Sequence, residues 1–231
     1  MKITSTELGT LDIKKLLIKQ SVPASIGILF MSINILIDTI FVGQWIGSLA
    51  IAAVSVVLPI TFLISSLGMA IGIGGSSIIS RALGAQDKEK ALHTFGNQLM
   101  MTLTLALASV LFGFWFFDEV LLLFGANGEI MKPAKEFFFP VLISVPFLAL
   151  CMMGNTVIRA EGKAKFAMYA MIIPAFGNII MDIIFIKYLN LGMFGAALAT
   201  AISYFLCFLF ILWFFVVKSE LQFQFHHLKN K

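Results

Sequence analysis

Six apolar segments take up most of the 231-residue chain, and each is long enough to cross a lipid bilayer as a helix. A spanning helix needs about 20 residues, whereas the strands of a membrane barrel alternate over about 10 residues. Only 12% of the residues are charged, whereas soluble domains carry about 25%. The sequence therefore predicts an all-α integral membrane protein, a six-transmembrane-helix bundle. The predicted spans cover residues 22–42, 50–80, 94–117, 137–158, 166–187 and 193–217.

Basic residues lie mostly on one side of this predicted topology. Thirteen of the 16 Lys and Arg residues fall in the N-terminal arm, the connections after the second and fourth spans, and the C-terminal tail. An excess of Lys and Arg marks the cytoplasmic side of a membrane protein. We therefore expect a cytoplasmic arm over residues 1–21, a membrane lobe over 22–217 and a cytoplasmic tail over 218–231, in a plasma (inner) membrane. The same distribution explains the net charge of +4, so lipid is an expected partner and nucleic acid is not.

Two of the twelve acidic residues, Asp38 and Asp182, lie inside predicted apolar spans, whereas the other ten lie outside them. Each lies near the outer end of its span, the first and the fifth. Ionisable residues inside a membrane are costly and are commonly functional. Asn178 precedes Asp182 by four residues and shares its helix face, and Thr200 in the sixth span reaches a similar depth. These four residues are the candidates for a shared site that binds a cation or a proton.

The chemistry of this candidate site favours Na⁺ or a proton. Its side chains offer only oxygen ligands, whereas zinc and copper prefer nitrogen and sulfur. Two carboxylates in one apolar pocket disfavour each other's ionisation, so the pair can take up and release a cation or a proton. The structural alternative is that hydroxyl or backbone groups simply cap each acid. Apart from Na⁺ or H⁺ as the coupling ion, no cofactor is expected, and the absence of a nucleophile–base pair argues against an enzyme.

Two prolines and a stripe of small residues predict features of helix packing. Pro23 begins the first span and Pro174 lies inside the fifth, and a proline within a helix removes a hydrogen bond and bends it. Each is interpreted either as a hinge that moves with ion occupancy or as a static kink. Small residues at a spacing of four form a predicted packing face in the second span. The members of this stripe are Gly68, Gly72, Ser76 and Ser80.

Five motifs, in their order and spacing, carry a family resemblance along essentially the whole chain. They are Ile37–Gly43, Ser80–Ala85, Arg159–Ala164, Asn178–Asp182 and Gly192–Thr200. Together they resemble the multidrug and toxic compound extrusion (MATE) transporters, most closely the branch that includes DNA-damage-inducible protein F. The resemblance implies an antiporter with two six-helix lobes around a central cavity, which exports hydrophobic or cationic compounds in exchange for Na⁺ or H⁺.

The resemblance also implies roles for individual residues. The residues that match its cation or proton site are Asp38, Asn178, Asp182 and Thr200, so Na⁺ is an expected ligand there. Asn155 and Met171 match positions that line a substrate cavity, although lone residues of these types more often serve packing. Pro23 matches a first-helix proline whose bending is linked to the ion site.

One departure from the family concerns the number of spans, because this chain has one six-helix lobe of a twelve-helix transporter. A complete cavity would need a second lobe, from another chain, a second copy or further sequence. A truncated lobe that does not transport, or acts as an assembly partner, is an alternative. Another is a flippase for lipid-linked or polysaccharide precursors, which would need cationic side chains in the cavity to bind phosphates. No Lys or Arg lies deep in a predicted span, which argues against the flippase.

Overall fold

The fold of the chain is a bundle of long helices. The computed structural model describes residues 12–221, and within this range there is no β-strand. Six helices are long and apolar enough to cross a membrane, which confirms the predicted all-α bundle. The helices are α1 (Ile13–Trp45), α2 (Ser48–Gly84), α3 (Lys88–Trp115), the short α4 (Phe117–Leu123), α5 (Met131–Ala160), α6 (Ala164–Asp182) and α7 (Gly192–Val217). A 3₁₀ turn (Gly128–Ile130) precedes α5, and a π-helical segment (Ile183–Tyr188) continues α6.

The helices extend beyond the predicted spans. α1 begins at Ile13, inside the predicted arm. α2 has 37 residues, about 55 Å at 1.5 Å per residue, which exceeds a hydrocarbon core of about 30 Å. Hydropathy marks the part of a helix that suits lipid, whereas helical hydrogen bonding continues past it. Residues 1–11 and 222–231, which hold the remainder of the predicted arm and most of the tail, lie outside the described residues.

α5 lies at the centre of the bundle, and α1 lies at its edge. Within the most apolar stretch of α5, 72% of the residues are buried inside the protein, against 11% for α1. α5 packs on α2, α3 and α7, whereas α1 packs mainly on α6 and contacts α2 and α7 only slightly. A helix that is apolar on all sides suits the core of a membrane bundle. α1 is thus attached to the rest of the lobe mainly through its contact with α6.

The predicted small-residue stripe packs α2 against α5. A Cβ atom added at Gly72 would lie 2.5 Å from Thr156 Oγ1 and 3.0 Å from Met153 Cα, so a side chain there has no room. Gly68 approaches the α5 backbone in the same way, and the Ser76 hydroxyl donates to Thr156 Oγ1 at 3.0 Å. Close approach through small residues is the usual basis of helix association in membranes. The prediction is confirmed for these three positions.

The fourth member of the stripe, Ser80, makes a hydrogen bond within its own helix. Its hydroxyl donates to the carbonyl of Ser77. Ser80 is half-buried, and no described hydrogen bond joins its side chain to α5. Its place in the packing face therefore stays a prediction.

Pro174 lies within α6 without ending the helix. Because proline has no N–H, the carbonyl of Ala170, one turn earlier, loses its usual donor. The thiol of Cys207 on α7 donates to this carbonyl at 3.1 Å. A neighbouring helix thus satisfies the group that the proline leaves free. This contact supports the static-kink interpretation of Pro174.

Two glycines of α2 test the packing of α2 on α5. We expect Gly72→Ala to destabilise the protein by about 1–3 kcal/mol, since the new methyl group overlaps Thr156 and Met153. Gly74→Ala is the matched control, because a Cβ atom there meets nothing within 4 Å and alanine favours a helix by up to about 1 kcal/mol. Thermal unfolding in one detergent would compare the two variants. Equal melting temperatures would contradict the proposed close contact.

Candidate cation site between α1 and α6

The candidate site lies where α1 and α6 run side by side in the same direction. We call this contact the seam. It is defined by three residue pairs, and each pair joins a residue of α1 to the residue of α6 that lies 144 positions later in the sequence. A constant offset along two helices means that they are parallel and in register. The pairs are Gly27 with Met171, Asn34 with Asn178, and Asp38 with Asp182. The structure therefore brings together two of the predicted site residues, Asp38 and Asp182, and places Asn178 one turn away.

The carboxylates of Asp38 and Asp182 lie close enough to form a hydrogen bond when one of them carries a proton. Asp182 is completely buried, and the Oδ1 atom of Asp38 is enclosed. Among the described residues, no group donates to Asp38 Oδ1 or to either carboxylate oxygen of Asp182. A buried carboxylate without a donor or a counter-ion is strongly unfavourable. The pair is therefore the candidate position for a proton or a cation.

Glu161 provides an internal comparison, because it is a buried carboxylate that the protein fully satisfies. Its side chain has no exposed surface. It accepts hydrogen bonds from the Lys163 ammonium at 3.0 Å, the Glu220 N–H at 3.1 Å and the Ser219 hydroxyl. Buried charges are commonly paired and hydrogen-bonded in this way. The capping expected of a structural carboxylate is thus present at Glu161, and the described residues do not provide it for Asp182.

An asparagine that the sequence analysis missed joins the two helices in the middle of the seam. Asn34 Nδ2 donates to Asn178 Oδ1 at 2.8 Å and to the Ala175 carbonyl at 3.2 Å. Asn178 is buried, and its Nδ2 has no acceptor among the described residues. One lone pair of Asn178 Oδ1 remains for a cation. The signal for Asn34 is its position four residues before Asp38, the same spacing that links Asn178 to Asp182.

Thr200 and Tyr204 present hydroxyl groups on successive turns of α7. Thr200 is half-buried, and its hydroxyl donates to the Ala196 carbonyl at 3.1 Å, so its oxygen lone pairs remain for a ligand. The described hydrogen bonds do not join Thr200 to either acid, and its place in the site stays a prediction. Tyr204 lies four residues after Thr200 and thus on the same face of α7. No described hydrogen bond joins its phenol to either acid.

The helix geometry changes directly after Asp182. Ile183–Tyr188 is π-helical, and the N–H of Leu189 donates to the Ile184 carbonyl, five residues earlier. Short π-helical segments are rare and frequently occur at functional sites. Asn190 has a φ of 50° in the turn that leads to α7. The widened turn is therefore part of the local structure that positions Asp182 relative to α7.

At the other end of the seam, Arg159 contacts both predicted cavity residues. Its Nε donates to Asn155 Oδ1 at 3.0 Å, and its Nη2 lies 3.3 Å from Met171 Sδ. Asn155 also donates to the Ala167 carbonyl at 2.8 Å. The role of Asn155 and Met171 in a substrate cavity stays a prediction. From sequence, Arg159 serves as a topology signal and as part of the motif Arg159–Ala164, with no side-chain role, because its backbone lies just beyond the end of a predicted span.

An apolar cavity of about 540 Å³ lies elsewhere, between α2, α3, α4 and α5. Its lining includes Ile60, Phe112 and Leu142, and it contains none of the predicted site residues. The lining also contains two polar residues, Ser109 and Glu119. The candidate cation site and this cavity are therefore separate features of the bundle.

Comparisons with known proteins point to one family. The MatE family profile matches residues 23–184. Multidrug export protein MepA from Staphylococcus haemolyticus (strain JCSC1435) is 33% identical over 219 residues, which cover 94% of this chain and 48% of MepA. The chain spans about half the length of the curated relatives it matches.

Solved structures agree with this result. An outward-facing multidrug resistance MATE family transporter of the MOP superfamily has a TM-score of 0.91 and 30% identity, over 100% of this chain and 51% of that one. A crystal structure of MATE in the bent conformation has a TM-score of 0.87 and 32% identity, over 95% of this chain and 49% of that one. Both matches correspond to one half of a longer protein.

The hydrogen bond at the centre of the seam leads to a stability prediction. We expect Asn34→Ala to destabilise the protein by about 0.5–2 kcal/mol, because it leaves the buried Asn178 without its donor. Asn97→Ala is the control, since Asn97 is exposed on α3 and its loss should change stability little. Thermal unfolding of the two variants in the same detergent is the measurement. Equal decreases in the melting temperature of the two variants would show that the hydrogen bond between Asn34 and Asn178 does not stabilise the protein.

Proposed function

The chain belongs to the MATE family of multidrug efflux transporters, and on this premise we propose that it is one lobe of a secondary active antiporter. The transporter exports hydrophobic or cationic compounds in exchange for Na⁺ or H⁺. It resides in the plasma membrane with both termini in the cytoplasm. The names of its relatives as multidrug export proteins support the substrate class, and the distribution of Lys and Arg supports the orientation.

The unpartnered carboxylate pair is the observation that carries this proposal. Asp38 and Asp182 come from different helices, and the described residues give them no compensating donor. A proton shared by the two, or a Na⁺ ion between them, removes the repulsion and draws α1 towards α6. Release of the ion reverses this change. An ion that binds one arrangement of α1 better than another shifts the population between them, which is what antiport requires.

Pro23 is the proposed hinge that converts ion binding into movement of α1. It is buried within a helix that packs mainly on α6, and proline weakens a helix at its own position. A related MATE structure is described as bent. Spin labels on either side of Pro23 should change their separation when Na⁺ is added or the pH is lowered. An unchanged separation under both conditions would remove Pro23 from the mechanism.

A second lobe completes the proposed transporter. The chain spans about half of its relatives, and α1, which carries Asp38, is the least buried helix. We expect coupled efflux only when a second lobe is present, as a second copy of this chain or as another polypeptide. Cross-linking followed by mass measurement of the reconstituted, active protein checks this. Coupled efflux by a strict monomer would contradict it, and a monomer that binds no ion would favour the non-transporting alternative.

The ion site itself is tested by removing one charge. We expect Asp182→Asn to lower Na⁺- or H⁺-coupled efflux at least about tenfold, equivalent to about 1.4 kcal/mol, because one of the two carboxylates that hold the ion is neutralised. Glu119→Gln is the control, since Glu119 is an exposed acid outside the seam. Efflux from vesicles would be measured with a Na⁺ gradient and, separately, with a pH gradient. Coupled efflux that survives in Asp182→Asn would remove the site assignment.

A further inference from the structure

The side chain of Arg159 points into the bundle instead of towards its end. Arg159 lies in the last turn of α5, yet its Nε bonds Asn155, one turn deeper. Its Nη2 reaches Met171, seven residues into α6, about 10 Å from the start of that helix. Long basic side chains near helix ends usually extend outwards to water. An inward arginine therefore needs a compensating interaction.

The contacts of Arg159 hold its guanidinium in place without neutralising its charge. Asn155 supplies an amide oxygen and Met171 a thioether sulfur, and both are neutral. Of the five N–H donors of a guanidinium, three have no acceptor among the described residues, and no described carboxylate forms a salt bridge with Arg159. Arg159 is only half-buried, so a ligand can reach these donors. The group is thus fixed, charged and accessible.

Arg81 shows that this arrangement is not general for arginines at helix ends. The chain contains two arginines, and both lie in the last turn of their helix. Arg81 Nε donates to the carbonyl of Ser77 in its own helix, and the residue is exposed. Arg159, by contrast, contacts side chains of two helices. The chain therefore offers a matched control for any effect of basic charge at a helix end.

We propose that Arg159 is a recognition point for an oxyanion, a carboxylate, sulfonate or phosphate that is carried by an amphiphilic ligand. The planar guanidinium can donate two parallel hydrogen bonds to such a group. Met171 lies beside it and packs closely against Gly27 of α1, so an apolar body can lie next to the anion. Transport of this ligand rests on the proposed function and would extend its substrate class to compounds with an anionic group, but binding can be measured without transport.

Equilibrium binding to the full chain, without an ion gradient, tests the proposal. Three probes share one naphthalene ring and carry a carboxylate, a primary amide or an ammonium group. In phosphatidylcholine nanodiscs we expect the carboxylate to bind at least about tenfold more tightly than the amide, as a charge-assisted bidentate contact implies. Arg159→Gln should remove this preference and leave the amide affinity within about twofold. Arg159→Lys should retain part of it, because an ammonium keeps the charge and loses the fork.

Control variants distinguish binding at Arg159 from a general effect of charge in the protein. Arg81→Gln should keep the full preference for the carboxylate. Asp182→Asn should still bind the carboxylate more tightly than the amide, even where a shift of α1 changes both affinities, so that loss of coupled transport and loss of oxyanion recognition are distinguishable. The proposal is overturned if the wild-type chain does not prefer the carboxylate, if Arg159→Gln retains the preference while melting like the wild type, or if Arg81→Gln loses it equally. If Arg159→Gln does not fold, the Arg159→Lys variant decides, since an unchanged preference there contradicts bidentate recognition.

A second arm of the same experiment identifies the source of the oxyanion. The measurements are repeated in nanodiscs that contain phosphatidylglycerol. Both lipids contain a phosphate, but only phosphatidylglycerol has a net negative headgroup. Weaker carboxylate binding in the wild type, with no such change in Arg159→Gln, supports an anionic lipid headgroup as the ligand. Equal carboxylate binding in both lipids supports a free compound over an anionic lipid.

Discussion

The closeness of the buried carboxylates of Asp38 and Asp182 is the constraint on which the rest of the seam depends. Two unit charges about 4 Å apart repel by about 4 kcal/mol at the effective dielectric constant of a protein surface. If both acids were ionised, the bond between Asn34 and Asn178 in the middle of the seam would act against their repulsion. Where a carboxylate is structural, as at Glu161, the protein surrounds it with donors. The contrast makes ion binding the simplest account of the acidic pair.

The position of α1 in the bundle determines what such an ion can do. α5 is held on several sides by other helices, and α1 has one extensive contact, with α6. A change in the repulsion between the two acids therefore acts directly on the one extensive contact of α1. Movement of α1 costs few contacts, whereas movement of α5 would disrupt the close packing at Gly72 and its neighbours. In the proposed mechanism, ion binding therefore acts on one helix and is not dispersed through the bundle.

Hydropathy and spacing predict where the helices lie in the sequence and how deep each polar side chain sits in the membrane. They do not predict towards which neighbouring helix that side chain points. The six spans and the matched depth of Asp38 and Asp182 follow from sequence, because the length of an apolar segment and the position of a residue within it can be counted along the chain. That the two acids face each other depends on helix rotation, which packing decides. Arg159 was missed because its long side chain can extend in either direction along the helix. Asn34 carried a usable signal, since it repeats the spacing of Asn178 and Asp182. The π-helical segment at Ile183–Tyr188 has no such signal, because it depends on how the ends of α6 and α7 pack.

The seam also connects the acidic pair at one end with the guanidinium of Arg159 at the other, although these groups are far apart in the sequence. Met171 and Asp182 are eleven residues apart on α6, about 16 Å along the helix axis, and each faces a residue of α1. A rigid α1 that shifts at Asp38 must also shift at Gly27, unless it bends between them. The thioether that packs on Gly27 is the one that contacts Arg159. In the proposed transporter, an ion at one end of the seam therefore changes the surroundings of the guanidinium at the other, through a single helix and without a relay of intervening side chains.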